Sequence, residues 1–402
     1  MKRATLLLAL LLTAEGVPTS IHADAFDDAT KASNDAFSQA TQKTSQAFAD
    51  QDATWNNYVA EQRRAFERYK AAIDAEWGGK NAKVPTKKEW VSYDKNHDSR
   101  ASIDYAHGTL QVDLLLKDGE ESDSQEVKKR IAQQLTNLIT QPAQEDALLK
   151  VTPPLGAATA HQKVYPLQGQ LQLDNGSAVT KDNASDFAHQ ALHHPLQEKT
   201  IDTPSGRKRM VSLSYPLPPD HIRRQAAPYL PKVREVAHRI HVSIPLVFGV
   251  IETESAFNPM ARSGVPAYGL MQLVPRSGAR DAYQRVYGHD RVVSASFLYD
   301  SNNNIELGAT YLKLLQTREM RRITNPTSRQ LCAIAAYNTG GGNVARAFIP
   351  GSRNIRKASA IINRMSPEEV YQHLRNNLPY QETRNYIQRV RNHMEHYKAW
   401  EE

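Results

Sequence analysis

One cysteine stands among 402 residues, and its solitude excludes a good deal of chemistry. Cys332 cannot form an intramolecular disulfide, and zinc sites built on several thiolates are ruled out. It lies in the apolar run Leu331-Cys-Ala-Ile-Ala-Ala336, where a small core residue is expected rather than a nucleophile. Long apolar runs are missing as well. Ala4 to Ala14 is the only candidate, and it is too short to span a bilayer comfortably. Lys2 and Arg3 precede it and Ala23-Asp24-Ala25 follows as an A-x-A-like cleavage site, so residues 1–25 read as a secretory signal with a mature start near Phe26. The mature chain is then expected in an exported compartment, without a cysteine to carry a lipid at its processed end.

Glycine and proline are absent from Asp27 to Trp77, an Ala-, Gln- and Asp-rich stretch. Aromatic and apolar residues recur there at eleven-residue intervals: Phe26, Phe37, Phe48 and Val59; Trp55, Phe66 and Trp77; Tyr58 and Tyr69. Eleven residues close three helical turns, so each series marks one side of a long helix or helical hairpin whose stripe packs on a neighbouring surface, with an oligomerisation surface as the alternative. Gly78-Gly79 ends it. This helical segment is placed at residues 26–80.

Between residues 81 and 219 the period changes to two. Ala101 to Leu116 alternates around His107-Gly108 and predicts a hairpin; Leu167 to Val179 carries an Asn175-Gly176 turn; Met210 to Tyr215 alternates again. Gln125 to Thr140 reads as an amphipathic helix on Val127, Ile131, Leu135, Leu138 and Ile139. This is a small α+β domain without a catalytic constellation. His193-His194 suggests no metal, because adjacent side chains diverge and no further ligands complete a site. Pro216-Leu-Pro-Pro219 marks the boundary.

From residue 220 to 402 the pattern is helical, with helices predicted near 232–241, 245–255, 302–317, 328–337, 343–348, 367–376 and 381–399. Ser366-Pro-Glu-Glu369 is a capping box with proline in the first turn. Residues 221–402 hold 25 Lys and Arg against 14 Asp and Glu, whereas residues 26–220 hold 23 against 27. A basic module suits an anionic polymer. Nucleic acid is not expected: Arg321-Arg322 and Arg356-Lys357 are scattered pairs without interleaved aromatics.

Four polar clusters interrupt these helices where packing does not demand them: Glu254-Ser255, Gly269-Leu-Met271-Gln272, Ala336-Tyr337-Asn338 before Gly340-Gly341-Gly342, and Glu382-Thr-Arg-Asn-Tyr386. Ser243 caps the first helix, Pro245 fits its first turn, and Val247, Val250 and Ile251 share a face with Glu254. Apolar company penalises the ionised carboxylate and raises its pKa toward the range of a general acid. A helix-end carboxylate paired with an arginine is the plainer reading of Glu254 from this segment alone. Glu252 is expected on the surface, Glu306 among aliphatic neighbours, and Glu382 exposed beside Arg384.

The order and spacing of these clusters resemble the lytic transglycosylases of the goose-type lysozyme superfamily, which cleave peptidoglycan. Asn304-Ile-Glu-Leu-Gly308-Ala-Thr-Tyr311-Leu312 is similar to that family's helix between the second and third motifs. Trp90-Val-Ser-Tyr-Asp and Arg100-Ala-Ser-Ile-Asp-Tyr-Ala-His-Gly-Thr109 resemble the N-terminal domain of the membrane-bound lytic murein transglycosylase C branch. The resemblance implies an α+β protein overall, with an all-α lysozyme-like catalytic domain at 220–402 preceded by the smaller α+β domain and the long helical segment. It implies Glu254 as acid and then base, with Ser255, Met271, Gln272, Tyr337, Asn338 and Tyr386 against the substrate, and neither metal nor cofactor. Its implied partners are peptidoglycan glycan strands, in the periplasm and associated with the outer membrane. Lipoprotein anchoring, usual in that branch, lacks its cysteine here. A lysozyme-type hydrolase and a silent peptidoglycan-binding module remain the alternatives. The want of a second well-placed carboxylate favours the non-hydrolytic route over the first. Retention of Glu254 together with all four motifs weighs against the second.

Overall fold

The computed structural model describes residues 53–143 and 151–401, apart from Leu155, His161, Gln162, Gln168 and Val265. The expected signal, the aromatics at 26, 37 and 48 and the first half of the predicted helix lie outside the described residues. A first unit ends at Asn57, of which residues 53–57 are helical; a second, compact unit spans Tyr58–Glu402. Everything below concerns that second unit.

It opens with a helix over residues 58–77, α1. A five-stranded antiparallel sheet follows in the order β1-β2-β3-β5-β4, made of β1 Glu89–Tyr93, β2 Ser99–Asp104, β3 Thr109–Leu115, β4 Leu196–Thr203 and β5 Gly206–Pro216. β2 and β3 form the predicted hairpin, with Asp104 opposite Thr109. Gly108 is required in its turn: φ is +66°, and a Cβ would meet the His221 ring at 2.7 Å. Strand alternation sorts the two faces. Leu110, Val112 and Leu114 join Val127, Ile131 and Leu135 of α2 (Gln125–Thr140) and Phe187 of α3 (Ala184–Ala191) in the main core. Leu115, Ile201 and Met210 belong to a second cluster with Ile73 and Trp77 of α1. The described end of the aromatic stripe therefore packs on the back of the sheet. There Asp113, fully buried, holds the Arg100 Nε at 2.7 Å and accepts from Ser212 and Gln111, while the Arg100 guanidinium lies 4.1 Å from the Trp77 ring. A buried charge persists when paired and hydrogen-bonded in this way.

The remaining chain is helical: α4 His221–Ala226, α5 Leu230–Ile240, α6 Ile244–Ser255, α7 Gly278–Tyr287, α8 Ala295–Tyr299, α9 Ser301–Leu314, α10 Pro326–Thr339, α11 Gly341–Phe348, α12 Ile355–Ile362, α13 Pro367–Asn377 and α14 Gln381–Glu395. The capping box on α13 is formed. α4, α7, α8 and α12 were not anticipated. α7 is studded with charged residues, α4 and α8 are five or six residues long, and their helicity rests on tertiary packing more than on periodicity. α9 is shorter than predicted because Leu315–Glu319 widens into a π-turn.

α6 is the axle of this region. All twelve of its residues are buried, and α14 crosses it at Gly249, where a Cβ would lie 2.8 Å from Met394 Cγ and 3.0 Å from the Val390 carbonyl. Glu252, expected on the surface, is instead 6% exposed and accepts from Tyr397 Oη at 2.6 Å, with His396 Nδ1 at 3.1 Å. Its position two residues from Glu254 turns it away from that side chain, but α6 has no solvent face to receive it. Glu306 is likewise held in a charged clamp by Lys232 at 3.1 Å and by Arg239 rather than by aliphatic neighbours.

Candidate active site

Local sequence builds the end of α6. Ser243 Oγ accepts from the Leu246 N–H, Pro245 sits in the first turn, and an apolar run carries the chain inward to Glu254. Ala256 and Phe257 then take left-handed φ values of +48° and +66°. Two successive non-glycine residues in that region cost energy and persist only where the surroundings hold them. Here the holding groups are visible. Ser255 Oγ donates to the Ile251 carbonyl at 3.0 Å and accepts from the Phe257 N–H at 3.2 Å, and Phe257 packs among Tyr229, Phe248 and Tyr397. Ser255 is fully buried, so its hydroxyl works inside the turn.

The Glu254 side chain is 7% exposed. Burial raises its pKa above the usual carboxylate range, and Lys87, with Nζ 3.4 Å from Oε2, opposes that rise. Tyr386 faces the carboxylate from α14. Its Oη is buried, has no hydrogen bond of standard geometry among the described residues, and its own pKa is pushed well up by burial and then by the Glu254 charge. Tyr337, from α10, feels the same two influences and donates to the Met271 carbonyl at 2.8 Å. Glu382 lies within electrostatic reach of Glu254 but is exposed, as expected.

The Gly269-Leu-Met-Gln272 segment is a tight turn pinned from α9. Asn304 Oδ1 accepts from the Met271 N–H at 2.8 Å, and Nδ2 donates to the Tyr268 and Leu298 carbonyls at 2.9 and 2.8 Å. Gly269, at φ +76°, has the Leu298 carbonyl 2.2 Å from where a Cβ would be. Met271 is fully buried. Gln272, at φ +47°, donates from Nε2 to the Ala261 and Gly269 carbonyls at 2.9 and 3.1 Å; its Oε1 is buried without a partner among the described residues. Asn338 Oδ1 accepts from Thr383 Oγ1 at 2.7 Å, tying α10 to the start of α14.

The structure thus brings Glu254, Tyr337 and Tyr386 within electrostatic reach of one another. Tyr337 is in turn bonded to the turn that holds Met271 and Gln272, while Ser255 and Asn338 serve the backbone and helix junctions around them. Lys87 and Asn304 were missed as site residues. Asn304 was within a recognised stretch, and its clamp follows from an Asn one helix away from a glycine turn. Lys87 carries no such signal, standing 167 positions before its partner. Among the described residues no cluster of three or more His, Cys, Asp or Glu is placed to hold a metal ion.

Two family models match this chain: the Transglycosylase SLT domain over residues 232–358, and the membrane-bound lytic murein transglycosylase C N-terminal domain over residues 56–227. The membrane-bound lytic murein transglycosylase C of Sodalis glossinidius (strain morsitans) is 32% identical over 327 residues, covering 81% of this chain and 87% of that protein. That of Actinobacillus succinogenes is 32% identical over 319 residues, covering 79% and 84%. Among solved structures, the 70 kDa soluble lytic transglycosylase of Escherichia coli aligns at 25% identity and a TM-score of 0.34 over 45% of this chain and 26% of that one.

Proposed function

This chain belongs to the membrane-bound lytic murein transglycosylase C family, and from that premise we propose that it cleaves the β-1,4 bond between N-acetylmuramic acid and N-acetylglucosamine in peptidoglycan, leaving a 1,6-anhydro end. The observation that carries the mechanism is a buried carboxyl group, Glu254, whose surroundings hold its pKa up and whose nearest cation can support the ionised form once the proton has left.

Glu254 first gives its proton to the glycosidic oxygen as the C1–O bond breaks. The resulting carboxylate then takes the proton of the sugar's own C6 hydroxyl, whose oxygen closes on C1. No water is consumed, and Glu254 ends protonated as it began. Glu252 is committed to Tyr397 and His396, and Glu306 to Lys232 and Arg239, so neither is available as a second carboxylate for hydrolysis. Positive charge develops at C1 as the bond breaks, and the sugar must be held in place by groups that exchange hydrogen bonds with its hydroxyls. Tyr386 Oη, which faces the Glu254 carboxylate, and Gln272 Oε1, an acceptor buried without a partner among the described residues, are the groups we assign to sugar hydroxyls. Met271, Tyr337, Ser255 and Asn338 hold the walls against which those two are set. Residues 220–402 form the catalytic domain in this reading, and 81–219 the module before it.

The substrate sets the compartment: the protein acts in the periplasm, at the wall beneath the outer membrane. Among the described residues no helix is long and apolar enough to cross a membrane. Mass spectrometry of soluble products from purified sacculi tests the reading, with Glu254→Gln alongside. Muropeptides lighter by one water than hydrolysis products, absent with the variant, are expected. Hydrated products, or anhydro products from the variant, overturn it.

A further inference from the structure

The loop before β1 reaches into the end of α6. Asn258, fully buried just beyond the left-handed turn, donates from Nδ2 to the Lys87 carbonyl at 3.2 Å and to the Thr86 carbonyl at 3.4 Å. Pro85, in the same loop, is buried. The backbone of residues 86–87 is therefore fastened to the residues that follow Glu254, and the Lys87 side chain has one short path to run, which ends with Nζ 3.4 Å from Oε2. A surface lysine would leave that contact to solvent and gain little. This one meets a carboxylate only 7% exposed, while its own side chain, 39% exposed, still borders an open groove of about 460 Å³ lined by Phe66, Arg63, Arg262 and Tyr268.

We propose that Lys87 is a positioning residue of the reaction, so that the module before the catalytic domain completes the active site by supplying the counter-cation of Glu254. This rests on the transglycosylase reading above. A single carboxyl that acts as acid and then as base must be stable in both forms in one pocket. Burial alone favours the protonated form, and a carboxylate left in that pocket with no cation is costly. Lys87 offsets that cost at the moment the proton leaves, without a second carboxylate and without solvent. The other charged and titratable groups facing Glu254 do not replace it. Lys88, from the same loop, is divided between Glu252 and Glu254 beside the like charge of Arg389; Glu382, on α14, works in the opposite direction; Tyr386 favours the carboxylate only as a neutral phenol, and Tyr337, also neutral, donates to the Met271 carbonyl.

The test compares the full mature chain with Lys87→Met and Lys87→Arg on purified sacculi across pH, with turnover and sacculus binding measured separately. Losing the cation raises the pKa of the acid, so Lys87→Met should lower turnover, leave binding unchanged and displace the alkaline limb of activity to higher pH; Lys87→Arg should bring the limb back. A pH profile that overlays wild type, at whatever level of activity, overturns the inference and leaves Lys87 a structural residue. A readout without turnover covers a poorly active variant: Glu254→Gln should raise Tm at neutral pH more in the Lys87→Met background than alone, and strict additivity overturns the inference. Anhydro products from wild type with an undisplaced profile sink only this proposal. Hydrated products with a displaced profile sink only the anhydro-forming reading.

Discussion

Asn304 Oδ1 accepts from the Met271 N–H at 2.8 Å while its Nδ2 donates to two carbonyls, so one buried amide on α9 fixes the turn that carries Gln272. Asn304→Ala takes their Asn304 partner from the Met271 N–H and the Leu298 carbonyl, while the Tyr268 carbonyl keeps the Leu273 N–H, which should cost about 2–4 kcal/mol. Urea unfolding measures it. Asn304→Asp should be no better, because a carboxylate then faces two carbonyls in place of a donor.

Glu254→Gln should stabilise the protein while abolishing turnover. The folded-state pKa of Glu254 is raised, so the native state holds its proton more tightly than the unfolded chain does. Its ionisation therefore costs stability as pH rises above the ordinary carboxylate value, and nothing well below it. The Tm gain of the variant should be absent in acid and grow through that window toward neutrality. A gain that does not change with pH contradicts the assignment.

Tyr386→Phe removes a buried hydroxyl that faces the Glu254 carboxylate and makes no hydrogen bond of standard geometry among the described residues, so stability should change by no more than about 1 kcal/mol. Turnover should nonetheless fall by about tenfold to a hundredfold if the phenol meets charge in the transition state. Initial rates on sacculi set beside Tm separate the two effects.

Glu252→Ala should unfold the α6–α14 junction more readily, by about 3 kcal/mol, since it strands Tyr397 Oη in the core. His393 reports on the same junction. Burial depresses its pKa, with Glu252 working the other way. Its neutral form then supports the fold above the ordinary histidine value of 6.5, and that support is lost as pH falls through and below it. Thermal melts of wild type and His393→Asn between about pH 5 and pH 8 check this, with the wild-type decline on acidification blunted in the variant.

Much of this was legible in the chain. The hairpin at His107-Gly108 and the helix Gln125–Thr140 followed from period and turn chemistry, because both are local. So did the capped start of α6 and the apolar approach to Glu254. Glu252 was misread for an instructive reason. A helical wheel separates it from Glu254 correctly, but it assigns the far side to solvent only when the helix has one, and α6 is enclosed on every side. Ser255 shows the converse: the motif singled it out, yet its hydroxyl is spent on the strained turn rather than turned outward.

What the sequence determined by itself is the chemistry on offer: a carboxyl in apolar company at a helix end, a glycine turn, two tyrosines and an amide in fixed order, and one cysteine too isolated for disulfide or thiolate work. These are short-range facts, set by side-chain type and spacing. What only the tertiary structure decided is the electrostatic setting of that carboxyl. Lys87 is 167 residues from Glu254, and nothing in the spacing of either predicts their meeting. It takes the sheet module folded against α6, with Asn258 fastening the loop, to put a cation at 3.4 Å. Charge interactions depend on distance through space and on burial, and neither is written in the distance along the chain.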